Sequence, residues 1–195
     1  MLTRRRRPPG WKRLRGALWL VAALLLAAPV VPAAAQSAPD GFTVRHEERI
    51  AAPPDRVYDA LVAEIGAWWD PEHTFSGDAR NLLLDDRPGG CLCEELPGGG
   101  GVEHLRVVYV DPPRQIRLTG ALGPLQASAV VGTLTWTLTE ADGGTGLEMT
   151  YAVGGYMEGG FEGIAPAVEA VLSGQMERLR RYVETGEPGP PAQGR

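Results

Sequence analysis

The sequence predicts an α+β fold in which one sheet curls around one long closing helix. Three observations carry this. An extended-then-helical stretch, Phe42 to Ile65, opens the ordered part of the chain. A run of strand-like segments follows. A single amphipathic helix, about Phe161 to Thr185, closes it. A helix stripe of that length needs a sheet face to cover it, and the arrangement leaves room for a pocket between the two.

Each element has its own signal. Phe42, Val44, His46, Glu48 and Ile50 alternate with Thr43, Arg45, Glu47 and Arg49, which predicts a strand whose apolar face carries two polar residues. Pro53-Pro54-Asp55 opens a helix, because proline suits the first turn and aspartate complements its positive end. Val57, Ala60, Leu61 and Ile65 continue at helical spacing, and Gly66 breaks it before Ala67-Trp68-Trp69-Asp70-Pro71 leads into a long connection. Leu82 to Leu84 and Gly90 to Glu95 predict short strands, and Val102 to Asp111 a longer one stopped by Pro112-Pro113. Gln115 to Thr119 returns with Ile116 and Leu118 on one face. Leu134, Trp136 and Leu138 alternate with four threonines, and Leu147, Met149, Tyr151 and Val153 alternate beyond the Asp142-Gly143-Gly144 turn. These two predict a hairpin with matched apolar faces. Ile164, Val168, Val171, Leu172, Gln175, Met176, Leu179, Tyr182 and Val183 form the stripe of the closing helix, with Pro166 near its start and Gly186 at its cap.

Residues 1–35 have the layout of an export signal. Arg4 to Arg7, Lys12, Arg13 and Arg15 make a basic region, Ala17 to Ala28 an apolar one, and Ala33-Ala34-Ala35 a cleavage point before Gln36. Pro29 and Pro32 leave the apolar run short of the roughly 20 residues of a spanning helix. The chain is therefore expected in the periplasm or outside the cell, without stable membrane insertion once the signal is cut. An uncleaved anchor is the alternative. Residues 36–41 read as a linker, 42–186 as one domain, and 187–195 as a disordered tail. Seven of the 19 basic residues but none of the 24 acidic ones precede Gln36, so the mature chain carries 12 against 24, a charge near −12. Such a surface repels phosphate backbones and excludes nucleic acid as a partner.

The order of several short motifs resembles the START/Bet v 1-like (SRPBCC) superfamily and its helix-grip fold. They are Pro53 with Val57-Tyr58-Asp59-Ala60-Leu61, then Arg87-Pro88-Gly89-Gly90, then Val107 with Tyr109-Val110-Asp111-Pro112-Pro113 and Ile116, Leu118-Thr119-Gly120. Leu134 and Trp136 follow, then Gly144-Thr145 with Leu147 and Met149, and the long helix. Within the superfamily the chain is similar to the polyketide cyclase and Hsp90-ATPase-activator-like branches, from Phe42 to Gly186. The resemblance implies a curved antiparallel sheet gripping the C-terminal helix around a cavity for an apolar or amphipathic molecule. It implies no particular reaction.

Candidate cavity residues are Trp68, Trp69, Trp136, Met149, Tyr151, Tyr156 and Phe161, since large apolar side chains around few polar groups suit a flat apolar ligand. Each aromatic has core packing as its alternative. Cys91-Leu92-Cys93 puts two thiols on one face of a strand, and free buried thiols, a short-loop disulfide and a zinc site with His73 and His104 are all open to them. Strand parity favours no metal. With Leu105, Val107 and Tyr109 facing inward, His104 faces outward; with Leu92 inward, both thiols do too. His46, Glu48, Glu103 and His104 are the acid/base candidates, though none is assigned a catalytic role. The expected function is an exported binding protein for a small hydrophobic molecule, with no cofactor. The alternatives are a cyclase/aromatase-type enzyme using the same cavity and an interaction module with a filled core.

Overall fold

Alternating apolar residues build eight strands: β1 (Gln36–Ala38), β2 (Gly41–Ile50), β3 (Leu82–Leu84), β4 (Cys91–Leu96), β5 (Gly100–Asp111), β6 (Gln115–Gly120), β7 (Ala129–Ala141) and β8 (Gly144–Tyr156). Three α-helices accompany these strands among the described residues: α1 (Pro54–Ala63), α2 (Ile65–Trp68) and α3 (Ala165–Thr185). The computed structural model describes residues 36–38 and 40–190. All strands pair antiparallel in one sheet of order β1-β2-β8-β7-β6-β5-β4-β3, and α3 packs against β2, α1 and α2. This is the α+β helix-grip arrangement that the sequence predicts.

The core includes the stretch where the sequence alternates most strictly. Leu134, Trp136 and Leu138 on β7 stand directly opposite Tyr151, Met149 and Leu147 on β8, and all six are buried. Removing one such side chain from water contributes roughly 1.5–3 kcal/mol. The helix ends follow local rules. Pro53 caps α1 in extended backbone, and Gly186 ends α3 at φ +82°, its N–H donating to the Tyr182 carbonyl at 2.8 Å.

Several expectations are corrected. Gln36–Ala38, read as linker, forms β1, which gives the edge of β2 a backbone partner. Gly66 does not end the helical stretch. The break is at Glu64, and α2 runs through Gly66, where a Cβ would lie 2.8 Å from the Ala79 carbonyl oxygen. At the C-terminus, the Arg178 guanidinium donates to the carbonyls of Gly189 and Pro190, both at 2.9 Å, so the first residues of the expected tail are held. The export segment over residues 1–35 and the end of the tail, 191–195, lie outside the described residues.

The consequential difference is in β5. His104 is an extra residue between the pairs Leu92↔Leu105 and Cys93↔Glu103, and Val108 is another between Val107↔Leu118 and Tyr109↔Arg117. Each bulge reverses the alternation. His104 therefore turns inward beside Leu105, and Tyr109, expected inside, turns outward at 42% exposure.

Candidate functional site

Beyond the hairpin core the sheet, α3 and two connections line a half-open cavity of about 420 Å³. Leu82, Leu92 and His104 supply the sheet wall, and Val168, Val171 and Leu172 line the α3 side with Ile164 and Ala167. The rim is Trp69 with Glu72 to Phe75 on one side and Leu122, Gly123 and Pro124 on the other.

Both connections are fixed by the packed part of the molecule. Gly120 and Gly132 face each other across β6 and β7, and at Gly132 a Cβ would stand 2.4 Å from the Tyr151 ring. The absent side chain admits that ring. The Tyr151 hydroxyl accepts from the Leu122 N–H at 3.1 Å and lies 3.4 Å from the Gly120 carbonyl, which positions the 122–124 turn. Burial pushes the phenol up to about 12, so it stays a donor. On the other side, the Arg178 guanidinium donates to the Trp68 carbonyl at 2.8 Å, and the Gln175 side-chain oxygen accepts from the Asp70 N–H at 2.9 Å. Asp70 then caps the Pro71–His73 turn through the Glu72 N–H. Helix α3 thus holds the start of the rim with one half and lines the cavity with the other.

The buried polar group at this wall is a pair. Glu94 is 1% exposed and His104 6%, with Nε2 of the imidazole 2.9 Å from Oε2 of the carboxylate. Glu94 also accepts from the N–H groups of Phe75, at 3.1 Å, and Ser76. Burial pushes its carboxyl pKa up, but the hydrogen bonds from Ser76, Phe75 and His104 outweigh that and hold it below the ordinary glutamate value. One carboxylate therefore clamps the rim loop and orients a histidine whose ring reaches the cavity. The Phe75 ring lies 5.8 Å from the imidazole, tilted by 39°.

Residues 41–184 match the family of polyketide cyclase / dehydrase and lipid transport proteins. The chain belongs to this family. Its membership places it in the SRPBCC superfamily that its motifs resemble. No curated protein sequence matches it. Solved structures share the fold at low identity. CalU16 from Micromonospora echinospora is 18% identical, with 78% of this chain and 83% of that one covered and a TM-score of 0.51. The conserved protein EF2215 of unknown function from Enterococcus faecalis is 15% identical, covering 84% and 82% with a TM-score of 0.58. The Aha1 dimer from Colwellia psychrerythraea is 16% identical, covering 74% and 97% with a TM-score of 0.53.

In this family member the cavity candidates scatter. Trp69 lines the cavity, its indole N–H donating to the His73 carbonyl at 3.2 Å. Trp68, Trp136, Met149 and Tyr151 are buried in the core, and Trp68 donates to the Ala60 carbonyl at 2.8 Å. Phe161 is buried 5.8 Å from Phe42, and Tyr156 is 72% exposed. The acid/base candidates separate as well. His46 and Glu48 pair at 3.0 Å, and the carboxylate also meets Arg180 of α3 at 3.1 Å. Glu103 is exposed and pairs with Arg106. His104 alone of the four lines this cavity, and its partner Glu94 is not among them. A signal for Glu94 was present: the alternation that buries Leu92 buries the residue two places on. Cys91 and Cys93 are joined in a disulfide, so neither sulfur is a free thiolate ligand. Among the described residues no group of three or more His, Cys, Asp or Glu side chains converges on a metal-sized point. No helix among them is long and apolar enough to cross a membrane.

Proposed function

We propose that this protein is an exported binding protein that holds one small, largely apolar molecule between its sheet and α3. The observation that carries this is the cavity itself. Its volume of about 420 Å³ falls within the roughly 300–1,000 Å³ typical of small-molecule sites, and aliphatic side chains dominate its wall. Phe75, 55% exposed at the rim, offers an aromatic surface to an entering ligand. Open volume of this size speaks against a module with a filled core. The family's association with polyketide cyclisation and lipid transport supports an apolar cargo. Export is supported by the basic, apolar and small-residue succession over residues 1–35 and by the Cys91–Cys93 disulfide, which suits an oxidising compartment.

Native mass spectrometry on protein purified from its own host tests the binding reading. A retained small molecule of defined mass is expected, on a chain beginning near Gln36. Unliganded protein that also fails to bind apolar probes would reject it, and a start near Met1 in a membrane fraction would reject export.

One observation favours the cyclase/aromatase-type reading as a second possibility: an ionisable pair lies at the cavity wall rather than in solvent. Turnover of the recovered molecule by purified protein would decide for it.

A further inference from the structure

The Glu94–His104 pair carries more than a fold role, because of what it leaves available. An ionised carboxylate only accepts hydrogen bonds. Glu94 accepts from the Phe75 and Ser76 N–H groups, so the hydrogen it shares with the imidazole sits on His104 Nε2. In the neutral ring that assignment makes Nδ1 an acceptor. Nδ1 has no hydrogen-bond partner among the described residues. It is also not one of the sealed orphan atoms, which are His46 Nδ1, Trp136 Nε1 and Gln175 Nε2. His104 is one of the residues lining the cavity, so a ring nitrogen with neither a partner nor a sealed surface is the atom it has to offer a ligand there.

The remaining polar side chains of the wall offer no equivalent. Glu72 and His73 are exposed at the rim, and the Thr74 hydroxyl, which donates to the Pro71 carbonyl at 2.7 Å and can still accept, is only half-buried and so open to water. With the imidazole neutral, a ligand buried here finds His104 Nδ1 as the one acceptor on a buried side chain among the described residues of the wall. A polar group buried without a partner costs roughly 1–3 kcal/mol, so such a site selects a molecule with one matching donor.

We infer that His104, oriented by Glu94, is the polar anchor of the cavity, and that the ligand class is an apolar body bearing a hydroxyl that donates to Nδ1. This rests on the cavity being the ligand site. The competing account is that the pair only ties the rim loop to β4, which requires nothing of the ligand.

Calorimetric titration of the purified protein with 2-naphthol and with its methyl ether, 2-methoxynaphthalene, separates the two. The ether has more apolar surface and no donor, so burial alone favours the ether. The anchor predicts the reverse order, with 2-naphthol about 10-fold tighter, or about 1.4 kcal/mol. His104→Phe should erase the preference: it also takes the imidazole partner from Glu94, but that loss acts on both probes alike, so the ratio of the two affinities still reads the anchor. Equal or tighter binding of the ether by the unmodified protein would overturn the anchor and leave the cavity reading standing. So would a preference for 2-naphthol that survives in His104→Phe. Binding of neither probe would overturn the cavity reading, and the anchor with it. The unmodified protein decides the order of affinities without any variant.

Discussion

The hairpin of β7 and β8 and the pair of β4 and β5 belong to one sheet but divide its labour. β7 and β8 are each 13 residues long and pair without a shift, so inward side chains stack against inward side chains and fill the space beneath α1. β5 carries two bulges, and the β4–β5 half of the sheet supplies the wall of the cavity. Helix α3 repeats the division along its own length. Gln175, Met176 and Leu179 are buried in its C-terminal half, whereas Val168 and Val171 in its N-terminal half are only half-covered and face the cavity. Regular pairing makes core; interrupted pairing re-aims single side chains, and here it aims a histidine.

The strongest test of that division compares truncations. Trp136→Ala in the regular half should destabilise by about 3–5 kcal/mol in urea denaturation, because its neighbours cannot collapse into the void. Val171→Ala on the cavity wall should cost less than about 1.5 kcal/mol, since that side chain already borders open space. Comparable losses at both sites would mean the cavity half is packed as tightly as the hairpin.

The next effect concerns the clamp. Glu94 has its pKa lowered from the ordinary 4.5 on folding, because hydrogen bonds outweigh burial. A carboxylate with a depressed folded value stabilises the protein above its unfolded value, and that stability is lost as pH falls through the folded value. Melting temperature should therefore fall on acidification below about pH 4.5. Glu94→Gln should lower stability at neutral pH by roughly 1–3 kcal/mol through mismatched hydrogen bonds, and should flatten that acid dependence. An unchanged acid profile in the variant would remove Glu94 as the group that ties the rim loop to β4.

Gly132→Ala probes the link between the halves. The new methyl would meet the Tyr151 ring, whose hydroxyl holds the 122–124 rim. Overpacking should cost about 1–3 kcal/mol. Apolar probe binding should weaken with it, because the displaced ring carries Leu122. A loss of stability with intact probe binding would uncouple the rim from the hairpin.

How much was legible follows the same line. The β7–β8 register, the Gly186 cap and the α3 stripe could be read because each rests on a local period or a single residue's backbone preference. The site could not be read in the same way. His104 and Tyr109 look misplaced by one only because a bulge is a property of pairing between strands, and no local composition announces it. Size and aromaticity suit a ligand wall and a core equally, and Trp68, Trp136 and Tyr151 are core. What lines the cavity is mostly aliphatic, a composition indistinguishable from core until the space beside it is seen.

Tyr109 gives the smallest and sharpest of the tests. Strict alternation along Leu105, Val107 and Tyr109 puts the ring inside, where its removal would cost about 3–5 kcal/mol. The bulge at Val108 puts it outside instead, with the Arg117 guanidinium 5.3 Å from the ring centroid. An exposed cation–π contact contributes roughly 0.5–1 kcal/mol. Tyr109→Ala should therefore destabilise by no more than about 1 kcal/mol, and Arg117→Ala should account for most of the same loss, with little added in the double variant. A loss near the interior value would mean that β5 runs without its second bulge. The regularity of β7 and β8 would then extend further across the sheet, and the division between packed and open halves would have to be redrawn.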